Sequence, residues 1–380
     1  MIYFDNSATT APCDAVIKAA TEELTSNAAF GNPGSLHKLG VDAKKRYASY
    51  HDECAKLLGC APEELYFISC ATEGANTAIR GALAANKRAG KTIISTRTEH
   101  KATLSPLEEL AQEGYNVVYL PVGSDGIPSE ETFEQALKDN DDVALICLTY
   151  VNNETGAKLP DDIYIELRKK YAPNALCYVD FVQALGKVPC DLRLCDMASF
   201  SGHKIHSVKG CGLLYVSKDA KVKPLILGGG QQDGMRSGTE SPFLASLFTA
   251  ALSEAYANMD EASGRVAGIS RYLREELAKR NVTVLSPDNA IPFVLNVSFP
   301  DFQSETMLHC LEMYDIYVST VSACTSKSKK VSYVLLEAGV PQKLASNAVR
   351  LSFSRYNTMD EAAKFIEAVD DIYDKFLVRK

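Results

Sequence analysis

The sequence predicts an α/β fold: a mixed, mostly parallel sheet of seven strands between helices, followed by a smaller α+β unit. Three observations predict it. Near-continuous apolar runs, such as VALICLTYV (143–151) and ALCYVD (175–180), match strands buried on both faces of a sheet. Helical stretches separate these runs, the alternation expected of parallel strands. After about residue 240 the texture changes to long helices with shorter strands. A chain of 380 residues is long for a single core, and the domain boundary is expected near residue 255.

Taken in order, a helix is expected from Ser35 to about Leu58, and LYFIS (65–69) reads as a short buried strand. A helical stretch follows Ala71. TIIS (92–95) is strand, 104–113 helix, NVVYLP (116–121) strand and 129–138 helix. The two apolar runs come next, then ASFSG (198–202) and CGLLYVS (211–217) as a close pair of strands. One or two helices span 241–281, with Gly264 as a possible break. PFVLNVSF (292–299), YVSTVS (317–322) and VRLSF (349–353) are strands, interleaved with helices at 304–313, 342–348 and 359–376.

With 46% hydrophobic and 23% charged residues, the composition is that of an ordinary globular protein. A net charge of −8 argues against a nucleic-acid partner, because phosphate backbones attract clustered positive charge. The opening MIYFDNSATT has no secretory pattern, and no apolar run is long enough to span a bilayer, so a cytoplasmic location without membrane contact is expected. The 11 cysteines contain no C-x-x-C pair, and the histidines lack zinc-finger spacing; neither a disulfide framework nor a metal site is expected.

Chemistry is sought where strands end, because open α/β sheets gather ligands at their carboxyl ends. Five strands run into CATEGAN, TRTEHKAT, NNETG, Asp180 with FVQALG, and SGHK. Lys204 in SFSGHKIHSVKG (199–210) is either a solvated turn lysine or one that forms a Schiff base with a carbonyl. Pyridoxal phosphate (PLP) chemistry needs such a lysine, and a carboxylate on the pyridine nitrogen; Asp180 could serve, or could simply cap a turn. CATEGAN, with Thr72 near a helix start, suits an anion or a plain cap. His100 could lie on a planar cofactor or be structural. Arg350, inside an apolar run, suits a substrate carboxylate or a salt bridge. Cys324 in VSACTSKSKK stands apart: its neighbours are small or charged, unlike those of a packed thiol.

Ten motifs in order carry a resemblance over nearly the whole chain: YFDNSATT, FGNPGSLHKLG, ATEGAN, TEHKAT, VNNETG, VDFVQALGK, SFSGHKIHSVKG, GGGQQDGMRSGT, SACTS and VRLSFSRYNT. Together they resemble the cysteine desulfurases of the NifS/IscS type, in the class V aminotransferase group of fold-type I PLP enzymes. The resemblance implies a large PLP-binding domain (13–255). It also implies a smaller domain (1–12 and 256–380) carrying a mobile loop at about 321–331. It implies that Lys204 is the Schiff-base lysine, Asp180 the partner of the pyridine nitrogen, Gln183 and Asn153 neighbours of the ring oxygen, and His100 the stacked acid/base. It assigns the phosphate to Thr72, Ser201 and His203 and counts Ala71 among the cofactor-binding residues, with Thr239 reaching the phosphate of a second subunit in a homodimer. Arg350, with Asn153, would bind the carboxylate of L-cysteine. Cys324 would accept the sulfur as a persulfide, releasing L-alanine, and hand it to an acceptor protein that the sequence does not name. Lys327, Lys329 and Lys330 could favour the Cys324 thiolate.

Departures fall outside the lysine, aspartate, histidine and cysteine: Tyr150 stands where many relatives have histidine, Ser354 where glycine is common, and SKSKKVSYVL lacks their acidic residue and proline. The chain also ends at VRK, which leaves docking to an iron–sulfur scaffold open. Two other readings are a different class V PLP enzyme, such as a selenocysteine lyase, and a non-catalytic binding protein. Cys324 argues against the first and the Lys204, Asp180 and His100 set against the second.

Overall fold

The computed structural model describes residues 1–26, 30–320 and 331–376. In chain order the first part contains β1 (Ile2–Tyr3), α1 (Asp14–Thr25), α2 (Lys38–Leu58), β2 (Leu65–Ile68), α3 (Ala71–Ala85), β3 (Thr92–Thr96), α4 (Lys101–Gln112), β4 (Asn116–Leu120), α5 (Glu130–Asp139), β5 (Val143–Thr149), α6 (Asp161–Tyr171), β6 (Leu176–Asp180), β7 (Met197–Ser201) and β8 (Gly212–Val216). The second contains α7 (Pro242–Ala257), α8 (Met259–Ala278), β9 (Thr283–Val284), β10 (Val294–Ser298), α9 (Ser304–Glu312), β11 (Ile316–Tyr317), β12 (Ser319–Thr320), α10 (Tyr333–Glu337), α11 (Gln342–Ser346), β13 (Ala348–Ser352) and α12 (Met359–Phe376).

The mostly parallel seven-stranded sheet expected from the apolar runs is present, in the order β2-β8-β7-β6-β5-β3-β4. Only β8 runs against its neighbours; the other pairings are parallel. Six strands therefore end at one edge, at Ile68, Thr96, Thr149, Asp180, Ser201 and Leu120. The sheet is buried on both faces. Ala75, Ile79 and Ala82 of α3 and Leu107 of α4 pack with Ile93, Leu145, Tyr178 and Leu214 on one side. Phe181, Phe200 and Leu213 join Leu247, Phe248 and Leu252 of α7 on the other, in a core that continues to Leu295, Val297 and Phe365. Gly74 lets α3 lie against β7: a Cβ there would sit 2.7 Å from Ser199 Cβ and 2.9 Å from Ile68 Cδ1. That close approach holds the start of α3 over the strand ends.

The second sheet is antiparallel, in the order β12-β13-β10-β9. The amino-terminal strip ties the two sheets together. β1 pairs with β11, Asn6 N–H donates to Ser352 O (3.2 Å), and Thr10 N–H donates to His203 O (2.9 Å).

Three details depart from the sequence expectation. The long helical region breaks at Asn258, not at Gly264, which lies inside α8. Asn258 leaves helical geometry (φ −120°, ψ 13°) with its amide donating to Glu254 O (3.1 Å), and Asp260 and Glu261 favour a new helix start. A Cβ on Gly264 would meet open space, so its glycine costs helix propensity without forcing a turn. Residues 317–320 of YVSTVS do not form one strand: Tyr317 pairs with Tyr3 and Ser319 with Arg350, so the chain changes sheets at Val318, and 321–322 lie outside the described residues. The helix expected between the two long apolar runs is α6, but α1 and α10 have no counterpart in the sequence expectation. In α1 only Val16 and Glu23 are buried, so no apolar stripe marks it.

Candidate active site

The apolar run of β6 stops at Asp180, whose buried carboxylate Oδ1 accepts the Val182 N–H (2.9 Å). Burial pushes this carboxyl up; His100, the Val182 N–H and Lys204 pull the other way. One strand along, β7 ends at Ser201 and a short 3-10 turn, Gly202–Lys204, follows. Lys204 Nζ donates to Ser7 O (2.5 Å) and Ala8 O (2.7 Å), so the amino-terminal strip fixes the amine over the strand ends. Ser201 Oγ accepts the Ala71 N–H (2.9 Å), joining the end of β7 to the first turn of α3.

His100 caps α4, its Nδ1 accepting the Ala102 N–H (3.1 Å). Burial holds its imidazole below the ordinary histidine value, with Lys204 and Lys101 adding to the shift and Asp180 opposing it. A neutral ring that accepts at Nδ1 carries its proton on Nε2, the nitrogen left to meet a ligand. Gln183 bridges, its Nε2 donating to Ser7 O (3.0 Å) and its Oε1 accepting from Lys187 Nζ (2.6 Å). His203 Nδ1 contacts Thr9 Oγ1 (3.2 Å), and burial pushes the ring down to about 4.

Ala71, Thr72, His100, Asn153, Asp180, Gln183, Ser201, His203 and Lys204 line one cavity of about 260 Å³. Two sequence candidates among the described residues, Arg350 and Thr239, are not in that lining. Arg350, on β13, contacts the lining residue Asn153: Nη2 pairs with Asp5 Oδ1 (2.9 Å), Nη1 donates to Asn153 O (3.1 Å), and the buried Nε has no partner among the described residues. Thr239 lines a separate depression of about 140 Å³ with Tyr47, Phe67 and Ser241. Cys324 and the three lysines after it lie outside the described residues.

The sequence reading gave no role to Ser7, Asp5, Cys70 or Lys187. Ser7 and Cys70 line the cavity, Asp5 holds Arg350, and Lys187 holds Gln183. All four sit inside quoted motifs. The missing signal is that Ser7 acts through its backbone carbonyl, which any residue supplies.

The donor set fits PLP. An amine at Lys204, a buried carboxylate at Asp180, and hydroxyls with the amino end of α3 at Thr72 and Ser201 face one volume. The buried Ser7 Oγ in the same lining has no partner among the described residues, so polar capacity remains for a ligand. No His/Cys/Asp/Glu cluster suited to a metal occurs among the described residues, and no described helix is long and apolar enough to cross a membrane.

The family profile described as aminotransferase class-V matches residues 2–365. A NifS/IcsS protein homolog of Lactobacillus delbrueckii subsp. bulgaricus is 38% identical, covering 99% of this chain and 98% of that protein. The cysteine desulfurase IscS of Methanosarcina thermophila is 36% identical over 98% of this chain and 92% of its own length. Among solved structures, a NifS-like protein superposes with a TM-score of 0.92 at 34% identity, covering 98% of this chain and 99% of that one.

Proposed function

Because this chain belongs to the class V aminotransferases, as a cysteine desulfurase of the NifS/IscS type, we propose that the Lys204 cavity holds PLP and that Cys324 receives the sulfur of L-cysteine. The observation that carries the reading is the convergence of Lys204, Asp180 and His100 on one cavity at the carboxyl ends of the sheet. Lys204 would hold the cofactor covalently, Ala71, Thr72, Ser201 and His203 its phosphate, Asp180 its ring nitrogen, Gln183 and Asn153 the side of its ring oxygen, and His100 its ring face. PLP bound there supplies an electron sink for the bonds around the substrate Cα.

The residues of the chain do the rest. Arg350, oriented by Asp5, takes the substrate carboxylate together with Asn153. Lys204, surrounded by backbone carbonyls, moves the Cα proton. His100 holds a proton on Nε2 for exchange with the substrate sulfur. The Cys324 thiolate attacks that sulfur, the Cβ–S bond breaks, and its electron pair stays with Cβ, which gains a proton. One L-cysteine and one thiol thus give one L-alanine and one persulfide, with no outside oxidant. The division into domains at about residue 255 belongs to the same reading, with most of the cavity lining on the larger unit and Ser7 contributed by the amino-terminal strip of the smaller one.

A homodimer is part of the proposal. Thr239 lies away from its own chain's cavity, as a residue serving a second subunit would, and exposed Leu225 and Leu227 supply apolar surface nearby in sequence. An acceptor protein takes the persulfide onward. The test is L-cysteine-dependent alanine formation by wild type and Lys204→Ala: wild type turns over and the variant loses activity about 10²- to 10⁴-fold, the range for a lost proton-transfer group. A variant as fast as wild type would sink the reading.

A further inference from the structure

Lys187 is a buried lysine to which the reaction above gives no part. It is 6% exposed, and its Nζ donates to Gln183 Oε1 at 2.6 Å. Among the described residues no carboxylate pairs with it. Burial, with the positive charges of Lys204 and Arg350 adding to it, pushes its amine down to about 7. A methionine would fill the same space without desolvating an amine. A lysine buried under those conditions needs a use, and the hydrogen bond that it makes among the described residues points to that use.

A glutamine amide can turn by half a revolution with little change of shape, so its partners decide which end faces where. Gln183 has two. Ser7 O can only accept, and it takes one Nε2 hydrogen (3.0 Å). Lys187 Nζ donates, so it demands Oε1 on its side. With both satisfied, the second Nε2 hydrogen remains, and Gln183 lines the cavity. We infer that Lys187 is a positioning residue: it locks the Gln183 amide so that an N–H, and not the carbonyl, faces the ring oxygen of the cofactor. The inference rests on the PLP reading. It also joins the two lysines, because Ser7 O accepts from both Gln183 Nε2 and Lys204 Nζ.

The experiment loads wild type, Lys187→Met, Gln183→Leu and the double variant with PLP, and records the visible absorbance maximum and the PLP dissociation constant. Lys187→Met and Gln183→Leu are expected to shift the maximum in the same direction and to weaken PLP each by roughly tenfold, about one lost hydrogen bond. In the double variant, adding Lys187→Met to Gln183→Leu is expected to change neither readout, because Lys187 acts through the amide. Lys187→Arg, which keeps a donor, is expected to return the maximum toward wild type. Thermal unfolding of Lys187→Met without PLP should match or exceed wild type, which separates positioning from folding. A Lys187→Met maximum and affinity unchanged while Gln183→Leu alters both, or an effect equally large in the Gln183→Leu background, overturns the inference. A wild type that takes up no PLP overturns the parent reading, and this inference with it.

Discussion

At the scale of the residue, the site depends on which atom of each side chain is already engaged. His100 spends Nδ1 on the Ala102 N–H, so its neutral ring offers Nε2. Burial lowers its pKa, so the acidic limb of the rate profile is expected below the ordinary histidine value of 6.5. The imidazole is neutral above that limb and takes a proton as pH falls through it. Measuring kcat/KM against pH in wild type and His100→Gln checks this, since the variant should lose the limb. Arg350 commits Nη2 to Asp5 and Nη1 to Asn153 O while Nε stays unpartnered among the described residues. Arg350→Gln is expected to raise KM for L-cysteine about 10- to 100-fold, the worth of charge-assisted hydrogen bonds, with a smaller change in kcat. A KM left at the wild-type value would confine Arg350 to its ion pair with Asp5.

At the scale of the element, α3 is the most sensitive piece, because its first turn faces the cavity and Gly74 sets its distance from β7. Gly74→Val places methyl groups against Ser199 and Ile68. The expected result is a loss of about 1–3 kcal/mol of stability and weaker PLP binding, read by thermal unfolding and by titration with the cofactor. Weaker stability with unaltered PLP affinity would mean that the approach of α3 does not shape the phosphate end. The elements legible in the sequence were those with strong patterning. β5 and β6 were visible as apolar runs, and α12 by a stripe that buries Phe365, Ile366, Val369 and Ile372. What escaped has a physical reason. α1 buries little, and the α7–α8 break is made by an asparagine whose side chain rejoins the helix before it. The split of YVSTVS depends on partners far off in sequence, Tyr3 and Arg350. The site was legible as residue types at strand ends. Its backbone acceptors, Ser7 O and Ala8 O, were not, because a carbonyl leaves no mark on residue identity.

At the scale of the whole molecule, residues 5–10 connect the small sheet to the Lys204 turn, so the position of the amine depends on both sheets together. The same region stores acid sensitivity. His206, at φ 73°, and His203 are both held neutral, pushed down to about 4 mainly by burial. Their folded pKa values lie below the unfolded value of 6.5, so the unfolded chain binds protons that the fold refuses. Their contribution is full above 6.5 and is lost as pH falls toward 4. His206→Asn, which tolerates the positive φ, is expected to flatten the fall in stability across that window, measured by denaturant unfolding at several pH values. The central claim concerns the route of the sulfur. One equivalent of L-cysteine, added without an acceptor and followed by digestion without reductant and mass spectrometry, measures it. The expected result is one added sulfur atom on the peptide containing Cys324, matched by one L-alanine and absent in Lys204→Ala. Alanine formed with the sulfur on a different cysteine, or at the wild-type rate in Cys324→Ala, would contradict it.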